Sequence, residues 1–210
     1  NYYTKRSRAM KVEVRSRVSD EFYEQVKRAV ASFPSYYDRL NTTIALAPRI
    51  KNIFPDMRSD WHHLGMMHRG ATNTIGLSEY RRSPSALACL GKNVRIVEAI
   101  AHETGHAFDL RVFGDGENMD YFSLKPDQPF LKAWKADLAD LLKQPELYSS
   151  LDIQFQRHME PDGRGTKETF AEIWANAHGH SALAHVGIDD IRPYFPECTA
   201  VVEDCVRSLG

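Results

Sequence analysis

The sequence predicts an α+β fold, with a strand-containing N-terminal lobe and a mainly helical C-terminal lobe built around a helix that carries His102, Glu103 and His106. Three observations carry that expectation. Short β-branched or alternating runs occur ahead of residue 93, near Val12 to Val18, Thr42 to Leu46 and Thr72 to Tyr80. From Asn93 on, apolar residues recur at helical rather than strand spacing. The chain has 210 residues, enough for one large domain or two small lobes. Residues 1–18 are expected to form a basic extension or strand, and 19–210 a single domain whose lobes divide near 114 and 115.

Composition narrows the partners. Hydrophobic and charged contents of 42% and 26% are those of a soluble globular protein. A net charge of −1 gives no reason to expect nucleic acid. No apolar run approaches the roughly 18 residues of a membrane span, so no membrane insertion is expected. Neither an initiator Met nor the apolar core of a signal peptide opens the chain. Cys89, Cys198 and Cys205 form no disulfide framework. The last two lie on one predicted helix, about 10 Å apart along its axis, and read as buried thiols.

In chain order, Lys5, Arg6, Arg8, Lys11, Arg15 and Arg17 alternate with Val12, Val14 and Val18 in a strand with solvated charges. Ser19, followed by Asp20 and Glu21, starts a helix whose face is Phe22, Val26, Ala29, Val30 and Phe33 and which Pro34 ends. Ser35 to Leu40 is a short helical piece, and Thr42 to Leu46 a core strand. His62, His63 and His68 read as packing residues. Thr72 to Tyr80 predicts a strand, Arg81 to Pro84 a turn, and Ser85 to Leu90 a second strand. An extended peptide could pair with either strand. Asn93 suits the N-cap of a helix to Phe113, with Val94, Val97, Ile100 and Ala101 as its stripe and Gly114 as its stop. Pro129 to Leu142 is amphipathic, burying Phe130, Trp134, Leu138, Leu141 and Leu142. Tyr148 to Gly165 reads as loop, and Thr166 caps a helix from Lys167. His178, His180 and His185 suit the negative end of that helix.

The chemistry concentrates in His102-Glu-Thr-Gly-His106. Residues four apart on a helix stand one above the other, so two imidazoles can converge on one ion. Glu103 projects about 100° round the helix, where its carboxylate can reach a water without competing for the metal. This H-E-x-x-H arrangement is that of a zinc site with Glu103 as general base. Catalytic zinc takes a third protein ligand. Asp109 and Val112 rule out a third His supplied by an extension of the same helix, and Asp115 and Asp120 sit in no ligand pattern. Glu168 and Glu172, four apart on an otherwise apolar helix, repel each other unless a cation compensates. Glu168 is therefore the expected third ligand, and Glu172 the acceptor for a ring N–H of a ligand His.

His102-Glu-Thr-Gly-His-Ala-Phe-Asp109, followed by Glu168-Thr-Phe-Ala-Glu172, resembles the catalytic core of the anthrax lethal factor-like zinc peptidases, to which the Pro-Pro endopeptidases are similar. The run from Tyr194 to Val206 is similar to their closing helix. The resemblance implies a zincin-like, gluzincin-type fold, zinc on His102, His106 and Glu168, and Glu103 as base. It also implies a peptide or protein substrate and a secreted or translocated effector. Where that family places an oxyanion-stabilising tyrosine ahead of the ligand Glu, this chain has Pro161; Tyr148, His158 and Tyr194 are the candidate substitutes. The expected activity is zinc-dependent hydrolysis of peptide bonds. The competing expectation is a degenerate zincin that binds a peptide or partner without cutting it. Zinc as a mere structural staple is the weaker third.

Overall fold

The computed structural model describes residues 10–59, 64–83 and 86–210, without the side chains of 82–90. The fold is mixed α+β. The chain divides into two compact units, Asn1–Ile100 and Ala101–Gly210.

In the first unit β1 (Lys11–Val14), β2 (Thr43–Ala47) and β4 (Thr74–Ser78) run parallel, and β3 (Met66–Arg69) joins β4 antiparallel, giving the order β1-β2-β4-β3. The central strands are buried on both faces, as parallel strands are, with Ile44, Leu46, Ile75 and Leu77 fully enclosed. A short helix α2 (Ile50–Ile53) covers them, and Gly76 is what lets it. A Cβ there would meet Phe54 at 2.5 Å and Ile50 at 2.9 Å. Helix α1 (Asp20–Ser32) begins as expected, with Ser19 Oγ accepting from the Phe22 N–H. The same hydroxyl donates to Glu79 at 2.5 Å, and the Ser19 N–H donates to the other Glu79 oxygen at 3.1 Å. The buried Glu79 carboxylate thereby fastens the start of α1 to the end of β4. A six-residue 3-10 helix spans Ser35–Leu40.

Several sequence expectations shift here. The predicted turn at Arg81 begins instead as strand β5 (Tyr80–Ser83), paired antiparallel with β6 (Ala86–Lys92) in a separate ribbon. Register pairing across the ribbon overrides the turn signal of the Arg-Arg-Ser sequence. Pro84 and Ser85 lie outside the described residues, as do residues 1–9, Trp61, His62 and His63. The Cys89 side chain is likewise outside them. Helix α3 runs over Ile96–Arg111, shorter at both ends than expected. Asn93 is not its cap, because the helix begins only at Ile96; its side-chain amide donates instead to the Gly65 and Ser78 carbonyls. Val94 is 78% exposed, so the buried stripe consists of Ile96, Ala99, Ile100 and Ala101.

The second unit is helical: after α3 come α4 (Pro129–Leu142), α5 (Pro145–Ser150), α6 (Ile153–Gln156), α7 (Arg164–Ala177) and α8 (Pro196–Arg207). The stretch expected as loop before Gly165 thus holds α5, α6 and a 3-10 turn at Arg157–Met159. Leu142 is exposed, and Asp137 takes a buried place on α4 that periodicity alone did not assign to it. The reason is α8, whose first N–H groups have no capping side chain of their own. Asp137 supplies it, accepting from the N–H of Glu197 at 3.1 Å and of Cys198 at 2.9 Å. Cys198 and Cys205 are buried free thiols, and burial pushes the Cys205 thiol up to about 12. Among the described residues no helix is long and apolar enough to cross a membrane.

Candidate metal centre

Helices α3 and α7 build the centre by touching backbone to backbone. Gly105 faces Ala171, and a Cβ on Gly105 would sit 2.7 Å from the Ala171 Cα and 2.8 Å from its carbonyl oxygen. Gly105 lies between Glu103 and His106, and Ala171 between Glu168 and Glu172. The contact therefore draws the two sets of chemical residues together. Around it the packing is aromatic, with Phe108 stacked on Trp174 at 4.2 Å and Phe130 edge-on to Phe170 at 5.2 Å.

Helix α7 starts at Arg164, not at Lys167. Its N-cap is Gly163 in the left-handed region at φ 83°, and Thr166 is buried within the first turn. The earlier start leaves the register of Glu168 and Glu172 unchanged. Both carboxylates face the His pair. His102 Nε2 lies 3.2 Å from Glu168 Oε2, and His106 Nε2 lies 3.5 Å from Glu168 Oε1. His102 Nδ1 lies 2.9 Å from Glu172 Oε2. The imidazoles stand edge to face, 84° apart with centroids at 5.0 Å. One ligand atom from each of His102, His106 and Glu168 falls within 4.8 Å of the others, and among the described residues no other group of His, Cys, Asp and Glu does so.

These separations suit zinc. Tetrahedral ligands about 2.0–2.1 Å from the ion stand about 3.3–3.4 Å from each other, against 3.2 and 3.5 Å here. With Nδ1 hydrogen-bonded to Glu172, Nε2 of His102 faces the shared point, where a metal ion would take the place of its proton. Glu168 keeps 31% of its side chain exposed, whereas Glu172 is wholly buried. One carboxylate can therefore share a ligand with solvent, and the other cannot. Glu103 is buried beside its neighbour His102, at 7% exposure.

Electrostatics give each group a direction. Burial alone would push the His102 imidazole down, but hydrogen bonds and charges from Glu168 and Glu172 outweigh it and hold the ring well above 6.5. Burial would raise Glu168, and the two imidazoles overcome it and hold the carboxyl well below 4.5. Glu172 is lowered in the same way by His102, His158 and Ser181. The acid pair thus demands a cation, a proton on His102 or a divalent ion, as its placement on an apolar helix implies.

Glu172 does more than sequence reasoning assigned to it. Its other oxygen accepts from the Ser181 hydroxyl at 2.7 Å and the Ala182 N–H at 3.0 Å. One carboxylate therefore orients the ligand imidazole and anchors the turn after α7. Asp109, on the same face of α3 as His102 and His106 at successive turns, accepts from the N–H and hydroxyl of Ser123 at 2.7 and 2.6 Å. Burial pushes this carboxyl up to about 6 in spite of those bonds. Gly114 is needed after α3, though not for a left-handed turn. A Cβ there would lie 2.4 Å from the Asp120 carbonyl oxygen.

The residues considered as oxyanion donors fare differently. His158 is fixed from several sides: its carbonyl accepts from Trp134 Nε1 at 3.0 Å and Thr169 Oγ1 at 3.1 Å. Its Nδ1, 3.0 Å from the Phe155 carbonyl, must carry the proton in that bond. Nε2 is then an acceptor, sealed from solvent, and burial lowers the ring's proton affinity. Of the three candidates, His158 as a protonated donor does not suit this setting. Tyr194 packs edge-on against Phe155 at 5.0 Å, and Tyr148 lines a surface hollow with Ile153, Met159 and Pro161. Asp115 and Asp120 pair with each other through their backbones, and Asp120 also with Lys125. His178 and His185 donate through Nδ1 to the local carbonyls of Trp174 and Ala182, as residues at a helix end do.

No family model matches the chain, and no curated protein matches it.

Proposed function

We propose that this protein is a zinc-dependent endopeptidase, holding the ion on His102, His106 and Glu168 and using Glu103 as general base. The observation that carries the reading is the convergence of those three ligand atoms within 4.8 Å, with Glu103 on the same helix. The resemblance of both helices to lethal factor-like peptidases points the same way, and a zincin arrangement and a secreted or translocated role come with it. A zinc ion held there would supply Lewis acidity and bring the pKa of a water toward 7. Every other task falls to side chains. Glu172 keeps His102 in the tautomer that leaves Nε2 bare. Glu103 takes the proton of the attacking water and hands it to the departing amine nitrogen. The exposed side of Glu168 leaves the centre open to solvent.

A second reading, a degenerate zincin that binds peptide without turnover, is favoured by Pro161 at the position where related peptidases carry a tyrosine. One experiment divides the two. The zinc-loaded protein and Glu103→Gln are incubated with a diverse peptide library, and new termini are read by mass spectrometry. Cleavage by the native protein, reduced several orders of magnitude in a Glu103→Gln protein that still holds zinc, supports the peptidase. Bound peptide without new termini supports the binding module.

A further inference from the structure

We propose that Tyr121 is the catalytic hydrogen-bond donor of the centre, giving its phenolic O–H to the scissile carbonyl oxygen as negative charge collects there. The proposal rests on the peptidase reading. Acyl hydrolysis needs such a donor, because the carbonyl oxygen becomes an oxyanion in the transition state. His158 cannot supply one, because its ring proton is committed to the Phe155 carbonyl.

Tyr121 sits in a segment tied to both helices of the centre. Two residues on, Ser123 is clamped to Asp109 by two short bonds, and Asp109 continues the His102 and His106 face of α3. From the other side, the Lys167 ammonium lies over the Tyr121 ring, 4.8 Å from its centroid. Lys167 immediately precedes Glu168. The ring thus lies under Lys167, next to the third ligand, in a stretch that Ser123 ties to the helix carrying the base. It is half-buried, so it is fixed without being sealed. Burial first, and then the charges of Asp109 and Glu103, hold its hydroxyl above the ordinary 10.0. The phenol therefore keeps its proton at neutral pH, which is what a donor requires. Two features hid it from sequence reasoning. It sits after the first motif rather than before the second, and its partners are far apart in the chain.

The test is Tyr121→Phe, which retains the ring and its contact with Lys167. With zinc content unchanged, kcat on a cleaved peptide is expected to fall about 100-fold or more, while KM changes little. Affinity for a phosphinic peptide, which mimics the tetrahedral oxygen, falls at least tenfold. In metal-free protein, spectrophotometric titration should find one phenol that shifts to lower pH in Glu103→Gln and is missing in Tyr121→Phe. Full activity in Tyr121→Phe beside a dead Glu103→Gln overturns the role of Tyr121 and leaves the peptidase standing. A zinc-loaded native protein that cuts nothing overturns both. If Tyr121→Phe fails to fold, the titration of native protein against Glu103→Gln decides, and a phenol that does not move overturns the proposal.

Discussion

Two helix pairs in the second unit use a buried carboxylate in opposite ways. Between α4 and α8, Asp137 spends both oxygens on backbone N–H groups of a helix start, so its negative charge ends on a fixed dipole. Between α3 and α7, Glu172 spends one oxygen on a hydroxyl and an N–H, and gives the other to an imidazole that can change its charge. The first arrangement is a joint. The second is also a joint, but one whose strength follows proton and metal, since His102 answers to both. Burial of a carboxylate therefore says little about function until its partners are known.

The most damaging change expected is at the contact beneath the second pair. Gly105→Ala forces a Cβ into the Ala171 backbone, which cannot give as a flexible side chain would. It should cost about 1–3 kcal/mol or more of stability and separate Glu168 from the His pair. Zinc content after dialysis and melting temperature would read both. Retained stoichiometric zinc would mean that the helices need not touch.

Next come the carboxylates themselves. Glu172→Gln should weaken zinc affinity about 10–100-fold, read by competition with a chromophoric chelator. Asp137→Ala leaves two N–H groups uncapped and should cost about 1–3 kcal/mol, with zinc affinity unchanged. Equal effects on zinc would erase the distinction between the joints.

The smallest effect expected is the pH profile of the metal-free protein. His102 is raised, so its contribution is complete below 6.5 and is lost as pH climbs through the raised value. Glu168 and Glu172 are depressed, so theirs is complete above 4.5 and is lost as pH falls through their lowered values. Asp109 is raised by burial from 3.8 to about 6, so its ionisation removes stability as pH rises across that range. Denaturant unfolding should show stability greatest between 4.5 and 6.5 and declining on the alkaline side. Glu172→Gln should flatten that decline, and an unchanged slope would detach it from His102.

The chain displayed the His pair, the acid pair and the helix that bears each, because all of these follow from local spacing. It also displayed the Ser19 cap and the exact limits of α4. What it concealed depends on partners distant in sequence. Asp137 looked like a surface acid until α8 needed capping, and Asn93 looked like a cap until the Gly65 and Ser78 carbonyls claimed it. Gly105 passed as the variable position of its motif, although it is the residue that admits α7. Gly163 stands at the capping place expected of Thr166 because α7 starts at Arg164, which leaves Thr166 inside the first turn.

The meeting of Gly105 with Ala171 has a consequence for how such a protein can vary. Between His106 and Glu168 the numbering advances by 62, yet the closest approach of the two helices is made by Gly105 and Ala171, outside that span. Two bare stretches of main chain act as a stop, and the intervening polypeptide is free to be lengthened, trimmed or refolded into other helices. Insertions well away from Asp109, Tyr121 and His158 should leave the ion's surroundings as they are, whereas one methyl group at the stop would not.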